Sequence, residues 1–239
     1  MLASEPVYVV TADLDWASEY CIQSLLSAFK SHAIKPAIFI THSSDVINRA
    51  KENGEINCGI HPNFLPNSSH GEDIESVIDH VLTLVPKASA SRSHAYVSSS
   101  HIVKALYNAG IKYDSGPVFF MQQNLQPLVH GSGLVHFPVF WEDDCHWDAG
   151  LHWDFASWRD EFLKPGLKII NVHPFFFTLN IPNASFYKMH KSHIQTLTDY
   201  EAKKFRFNGS GCQTFTLELL QFLSQMKNNV YSLDEIYNS

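Results

Sequence analysis

Four times along this chain a short apolar run stops at ionisable residues. Val7–Val10 leads through Thr11 to Asp13 and Asp15, and Ile56–Ile60 ends at His61. Ala88–Ser91 gives way to Arg92 and His94, and Leu167–Val172 ends at His173. Short β-branched or aliphatic runs bounded by polar residues read as buried strands. Between them lie segments with apolar residues at helical spacing: Ile22, Leu25, Leu26 and Phe29, then Ile74, Val77, Ile78, Val81 and Leu82, then Ile102, Val103, Leu106 and Tyr107. Such alternation predicts an α/β fold with a parallel sheet. In a parallel barrel the C-terminal strand ends share one face, and that face carries the chemistry.

Further strands are expected at Ala37–Thr41 and Leu134–Phe140, and further helices at Phe155–Phe162 and Thr214–Met226, with Tyr231–Ile236 closing the chain as a strand and turn. No repeat, low-complexity tract or linker divides the 239 residues, so one domain, 1–239, is expected. A Gly-rich phosphate loop is missing after the first strand, which disfavours a nucleotide-binding fold.

Composition narrows the function. A formal net charge of −7 with no basic run argues against nucleic-acid binding. No stretch approaches 18 apolar residues, so no membrane span is expected. MLASEPVYVV lacks the basic start of a signal peptide, and the four cysteines form no C-x-x-C pair, so a cytoplasmic protein with free thiols is expected. The 14 histidines stand out because imidazole suits metal ligation and proton transfer near neutral pH.

The residues after the strands form a coherent set. In an extended strand, residues two apart point the same way, so Asp13 and Asp15 are expected to face one site. Two carboxylates at the mouth of a buried strand are costly without a positive partner. One Asp and two His form a ligand set for a divalent metal, with positions left for water. The other Asp can then take a proton while a separate His supplies one to a leaving group. His61 and a second His are the candidate nitrogen ligands, and His173 is the candidate acid. The loop Glu142–Asp154, with His146, His152, Trp147 and Trp153, and with Trp141 directly before it, is read as facing a sugar substrate, with a second metal site at Cys145 as the other reading.

In this order the residues resemble the polysaccharide deacetylase superfamily, carbohydrate esterase family four, and most closely the branch found with O-antigen and other surface-polysaccharide genes. Thr11-Ala12-Asp13-Leu14-Asp15 resembles the first motif, Thr-x-Asp-Asp. Gly59-Ile60-His61 resembles the start of the second, Ser91–Tyr96 falls where the third places an Arg that orients the base, Trp141–Asp144 resembles the fourth, and Asn171-Val172-His173-Pro174 the fifth. The likeness spans about residues 7 to 175. It departs at Leu14, inserted between the two acids, and at Leu65, where the family's second motif has its second His.

The resemblance implies a distorted parallel (β/α) barrel of about seven strands. It implies a hydrolase that removes an N-acyl group, acetyl foremost, from an amino sugar or a surface-polysaccharide precursor. Asp13 is then the base and His173 the acid. Asp15, His61 and His70 are the expected ligands of a divalent metal, Zn2+ foremost, with Co2+, Ni2+, Mn2+ and Fe2+ as other candidates. His94 is the other candidate for the third ligand, and the two Asp roles could be exchanged. Arg92, His94, Trp141 and Asp144 are expected on the substrate side. Other readings are a sugar-binding protein that has lost catalysis and a metal-dependent hydrolase acting on a non-sugar amide.

Overall fold

The structure is a computed structural model that describes residues 4–239. Among the described residues nine strands form one sheet: β1 (Pro6–Asp13), β2 (Ala37–Ile40), β3 (Asn57–Ile60), β4 (Ala90–Ser91), β5 (Tyr113–Asp114), β6 (Leu128–Val129), β7 (Val135–His136), β8 (Val139–Glu142) and β9 (Gly166–Val172). Their order is β6-β7-β5-β4-β3-β2-β1-β9-β8, and every pairing is parallel except β6 with β7. The row from β8 to β5, seven of the eight strands that run parallel, forms the wall of the distorted barrel. It curls until the segment after β5 meets β8: Phe119 N–H donates to the Val139 carbonyl (2.8 Å), and Val139 N–H donates to that of Pro117 (2.9 Å).

β1 lies near the middle of this row, between β2 and β9, and all eight of its residues are buried. A strand covered on both faces must be apolar throughout except where a polar group finds a partner, which is why VYVV precedes Thr11 and Asp13.

Helices pack outside the row: α1 (Glu19–Ser31), α2 (Asp45–Glu52), α3 (Ile74–Leu84), α4 (Ser100–Asn108), α5 (Asp143–Asp148), α6 (Arg159–Leu163), α7 (Pro174–Leu179), α8 (Ala184–His190), α9 (Asp199–Phe205), α10 (Cys212–Gln225) and α11 (Leu233–Tyr237). In α1 the buried residues Cys21, Ile22, Leu25, Leu26, Ala28 and Phe29 form one stripe. Ser18 starts that helix by accepting the Cys21 N–H, and Ser44, Asp73 and Ser99 cap α2, α3 and α4 in the same way. Each such cap stabilises its helix by about 1 kcal/mol.

Three expected elements differ. Leu134–Phe140 is two strands, because β7 pairs with β5 while β8 pairs with β9, and Pro138 between them has no N–H to continue a ladder. Phe155–Phe162 is a 3-10 turn, Phe155–Ser157, followed by the short α6. Tyr231–Ile236 is mostly helix: Ser232 and Glu235 form a capping box that starts α11. No helix among the described residues is long and apolar enough to cross a membrane, and the four cysteines are unpaired.

Candidate active site

The ends of β1, β3, β4, β8 and β9 converge on one buried polar cluster. Thr11 and Asp13, two apart on β1, point the same way. Asn171 is the register partner of Thr11 on β9 and Glu142 is the partner of Asn171 on β8. A register shift between Val139 and Trp141 re-aims the end of β8. It leaves Trp141 fully buried, stacked on Phe215 with ring centroids 4.9 Å apart, and Glu142 in the polar cluster. Trp141 is therefore a core residue; the expectation of a substrate contact fails because its indole N–H is already committed to His146 (3.2 Å).

Arg92 is the hub. Its Nη1 donates to Asp13 Oδ1 (2.8 Å), Thr11 Oγ1 (2.9 Å) and Asn171 Oδ1 (2.6 Å), while Nη2 and Nε donate to the Ser115 hydroxyl (2.6 Å) and carbonyl (2.8 Å). A wholly buried guanidinium is tolerable only with its donors used in this way. Its flat face lies 4.3 Å from the Phe39 ring centroid. That ring leaves no space for a side chain at residue 59: a Cβ on Gly59 would lie 2.7 Å from Phe39 Cε1. Asp13 also accepts from Asn171 Nδ2 (2.9 Å). Burial opposes ionisation of Asp13, but the charges of Arg92, His61 and His173 outweigh it and lower its pKa. Arg92 thus packs behind Asp13, as a residue that orients it, and each of its three guanidinium nitrogens donates to protein.

Asp15 reaches the site by a different route from the one its spacing suggests. β1 stops at Asp13, Leu14 turns into the core, and Asp15 and Trp16 adopt left-handed backbone with φ of 45° and 56°. A second left-handed pair, Ala95 and Tyr96 (φ 51° and 53°), follows His94. Each such residue costs about 1–2 kcal/mol, and backbone strain of this kind gathers at functional sites. The two turns bring Asp15 Oδ1 within 3.0 Å of both His61 Nε2 and His94 Nδ1. Asp15, His61 and His94 thus form a group whose ligand atoms all lie within 4.8 Å of one another.

The protonation of His61 tests whether a cation fits there. Its Nδ1 sits 2.6 Å from the Arg92 carbonyl oxygen and must donate to it. In the neutral ring Nε2 is then a lone pair aimed at Asp15, with Asp13 Oδ2 3.9 Å away. Imidazole and carboxylate lone pairs converging on one point need a cation or a proton between them, and a backbone carbonyl behind the ring is how metal-binding histidines are held. Where a proton fills that point, burial still opposes ionisation of Asp15, but its hydrogen bonds to His61 and His94 and the charge of His173 hold its carboxyl well below the usual range.

His70 does not join this group. Its Nδ1 accepts the Asn63 N–H (3.1 Å) and its Nε2 donates to the Thr41 carbonyl (2.9 Å), so both nitrogens are used by backbone. Burial and the neighbouring His80 push its pKa down to about 4. The ring packs on Trp16 at 5.4 Å between centroids, and Trp16 packs on His94 at 5.1 Å. Against the expectation for His70, both its nitrogens are used and it buttresses the group from behind, while His94, the other candidate for the third position, stands among the converging atoms.

On the opposite side His173 Nδ1 donates to Asp143 Oδ1 (2.6 Å), and the His173 backbone N–H donates to Oδ2 (2.8 Å). Burial disfavours the imidazolium, but Asp143 overcomes this by charge and hydrogen bond, and the pKa of His173 rises well above its ordinary value. Its Nε2 faces the centre, 3.6 Å from Asp15 Oδ2 and 4.0 Å from Glu142 Oε1. Glu142 Oε1 accepts from Tyr96 O–H (2.7 Å) and Asn171 Nδ2 (2.8 Å). Burial and the nearby Asp144 raise the Glu142 pKa to about 8. Asp144, half-buried, points its Oδ1 to no partner among the described residues and forms an acidic group with Glu142 and Cys145.

Sequence reasoning missed Asp143, Asn171 and Ser115 as supporting residues. The signals for Asp143 are its place in an acidic triplet directly after a strand and inside the stretch that resembles the fourth motif.

Three comparisons bear on kinship. No curated protein matches the chain. A solved structure from Bordetella bronchiseptica, WbmS, assigned as a polysaccharide deacetylase involved in O-antigen biosynthesis, is 26% identical with a TM-score of 0.81, over 89% of each chain. An assigned polysaccharide deacetylase from Mycobacterium smegmatis shares the fold at 14% identity and a TM-score of 0.54, over 98% of this chain and 90% of that one. A carbohydrate esterase family four pseudoenzyme from Bacillus anthracis shares it at 11% and 0.50, over 99% and 66%. The family described as WbmS-like polysaccharide deacetylase matches residues 10–191, from the middle of β1 past His173. The chain belongs to the WbmS-like polysaccharide deacetylases.

Proposed function

We propose that this chain is a metal-dependent hydrolase that removes an N-acyl group, acetyl foremost, from an amino sugar or a surface-polysaccharide precursor. The observation that carries the reading is the convergence of Asp15, His61 and His94, with the His61 tautomer fixed from behind. These three residues would hold a divalent cation, Zn2+ foremost. Such a cation polarises an amide carbonyl and lowers the pKa of a water. Arg92 and Asn171 keep the Asp13 carboxylate ionised and oriented, so that it can take a proton from water as the water oxygen bonds to the acyl carbon. As the C–N bond breaks, His173, held by Asp143, gives its Nε2 proton to the departing nitrogen. The product pair is a free acid and an amino sugar. The four unpaired cysteines fit a reducing compartment, the cytoplasm foremost.

The test is acetate release from a panel of N-acetylated sugars and nucleotide-linked sugars by protein stripped with a chelator and then reloaded. Loss on stripping and recovery with Zn2+ or Co2+ supports the reading, whereas full activity in the metal-free protein refutes it. Sugar binding with no release by the loaded protein favours the non-catalytic reading.

A further inference from the structure

A second feature opens at the same end of the sheet. Register aligns Ile60, Ser91, Asp114 and His136 across β3, β4, β5 and β7, so Asp114 sits beside the strand end that delivers Arg92. There, Asp114 and His136 line a cavity of about 240 Å³ together with Tyr96, Pro117, Phe119 and Leu128. Asp114 is 9% exposed, yet its Oδ1 has no hydrogen-bond partner among the described residues. The Nδ1 of His136 is likewise unpartnered, lying 3.4 Å from Asp114 Oδ2 outside hydrogen-bond geometry. Buried polar atoms left in this state are rare and call for a ligand or a specific role.

Tyr96 joins this cavity to the candidate active site: its ring lines the cavity while its hydroxyl donates to Glu142. The walls are mainly aromatic and aliphatic, and the polar side chains among them are Asp114, His136, Ser93 and Ser98. Apolar walls suit the C–H face of a pyranose, while a carboxylate and an imidazole suit neighbouring hydroxyls. The carboxylate is already faced by an imidazole, which favours neutral hydroxyls over an ammonium. The volume is below the roughly 300 Å³ at which pockets for drug-sized ligands begin, so it admits one ring. We propose that this cavity is a subsite for one further sugar ring of the substrate glycan, bound through its hydroxyls by Asp114 and His136 and through its face by Tyr96 and Phe119. This rests on the reading of the chain as an enzyme acting on a glycan.

The test uses sugars with no amide, so binding is read without turnover. Methyl glycosides of glucose, galactose, mannose and rhamnose are titrated into ¹⁵N-labelled protein, with acetate release assayed separately. At least one should shift the amides of Ser93, Asp114, Gly116 and Phe119 in a saturable manner. Asp114→Asn should raise its Kd about tenfold or more, the loss expected for a hydrogen bond to a charged group. Phe119→Ala, at a half-open rim position, should do the same and covers the case in which Asp114→Asn does not fold. No binding by any glycoside, shifts confined to amides around Asp15 and His173, or Kd unchanged in the folded variants overturns the subsite. A chain that releases no acetate yet binds sugar here loses the hydrolase reading and keeps the subsite.

Discussion

Asp143 grips His173 twice, at the imidazole Nδ1 (2.6 Å) and at the backbone N–H (2.8 Å), with Cys212 also donating its thiol to Oδ2 (3.3 Å). One carboxylate therefore fixes both the position of the residue and the proton on its ring. An imidazolium held in this way is an acid whose remaining N–H, at Nε2, can point only at the centre of the site.

Asp143→Asn keeps the shape but removes the charge that stabilises the imidazolium. The proposed hydrolase should lose about 10²–10⁴ in kcat, the range for a general acid, with a smaller change in KM. The sign of the pH effect follows from the raised pKa of His173. Wild-type His173 keeps its proton to higher pH than a free imidazole does, so in the variant the alkaline limb of an acid-dependent step should move to lower pH. An unmoved limb in a folded variant would remove His173 from the role of acid.

The third ligand is decided by metal content. His61→Ala and His94→Ala should each lose stoichiometric metal by elemental analysis. His70→Ala should keep the metal and lose roughly 1–3 kcal/mol of stability, because it leaves the Asn63 N–H and the Thr41 carbonyl unpaired. The reverse pattern, metal lost with His70 and kept without His94, would overturn the assignment.

Arg92 serves the structure as much as the chemistry. Arg92→Ala strands Asp13 as a buried carboxylate without its partner, and such losses run to about 3–5 kcal/mol. Arg92→Lys keeps the charge but cannot reach Asp13, Thr11, Asn171 and Ser115 together, so it should recover only part of the stability in urea titrations. Equal stability of Arg92→Ala and wild type would show that the hub is dispensable.

What the sequence makes legible follows from local physics. Strand ends are visible because an apolar run that stops at Asp13, His61 or His173 carries its own boundary. Asp13 and Arg92 could be placed because each directly follows or ends such a run. For Asp15 the extended-strand geometry does not hold, since nothing in Asp-Leu-Asp announces two left-handed residues. His70 and His94 differ in what their ring nitrogens already bind, the Asn63 and Thr41 backbone in one case, and no spacing rule encodes that. Asp143 and Trp141 depend on the register shift in β8, which decides what faces the site and what enters the core. The Ser232–Glu235 capping pattern, by contrast, is readable and marks α11 as helix.

Lys168 offers a test of the core that is independent of the site. It lies on β9 with no solvent exposure, its ammonium 3.9 Å from the Phe140 ring centroid and paired to Gln123 Oε1. Burial pushes its pKa down to about 8. The unfolded lysine keeps its proton to about pH 10.4, so between the two values the unfolded chain binds more protons and wild-type stability gains from rising pH. Lys168→Met fills similar space without a charge and lacks that gain. The variant's advantage, or its smallest deficit, should therefore appear at pH 7 and shift in favour of wild type by pH 10, measured as urea midpoints of both proteins across that range. Parallel pH curves for the two would mean that Lys168 ionises with an ordinary pKa, and that the Phe140 face and Gln123 offset its burial in full.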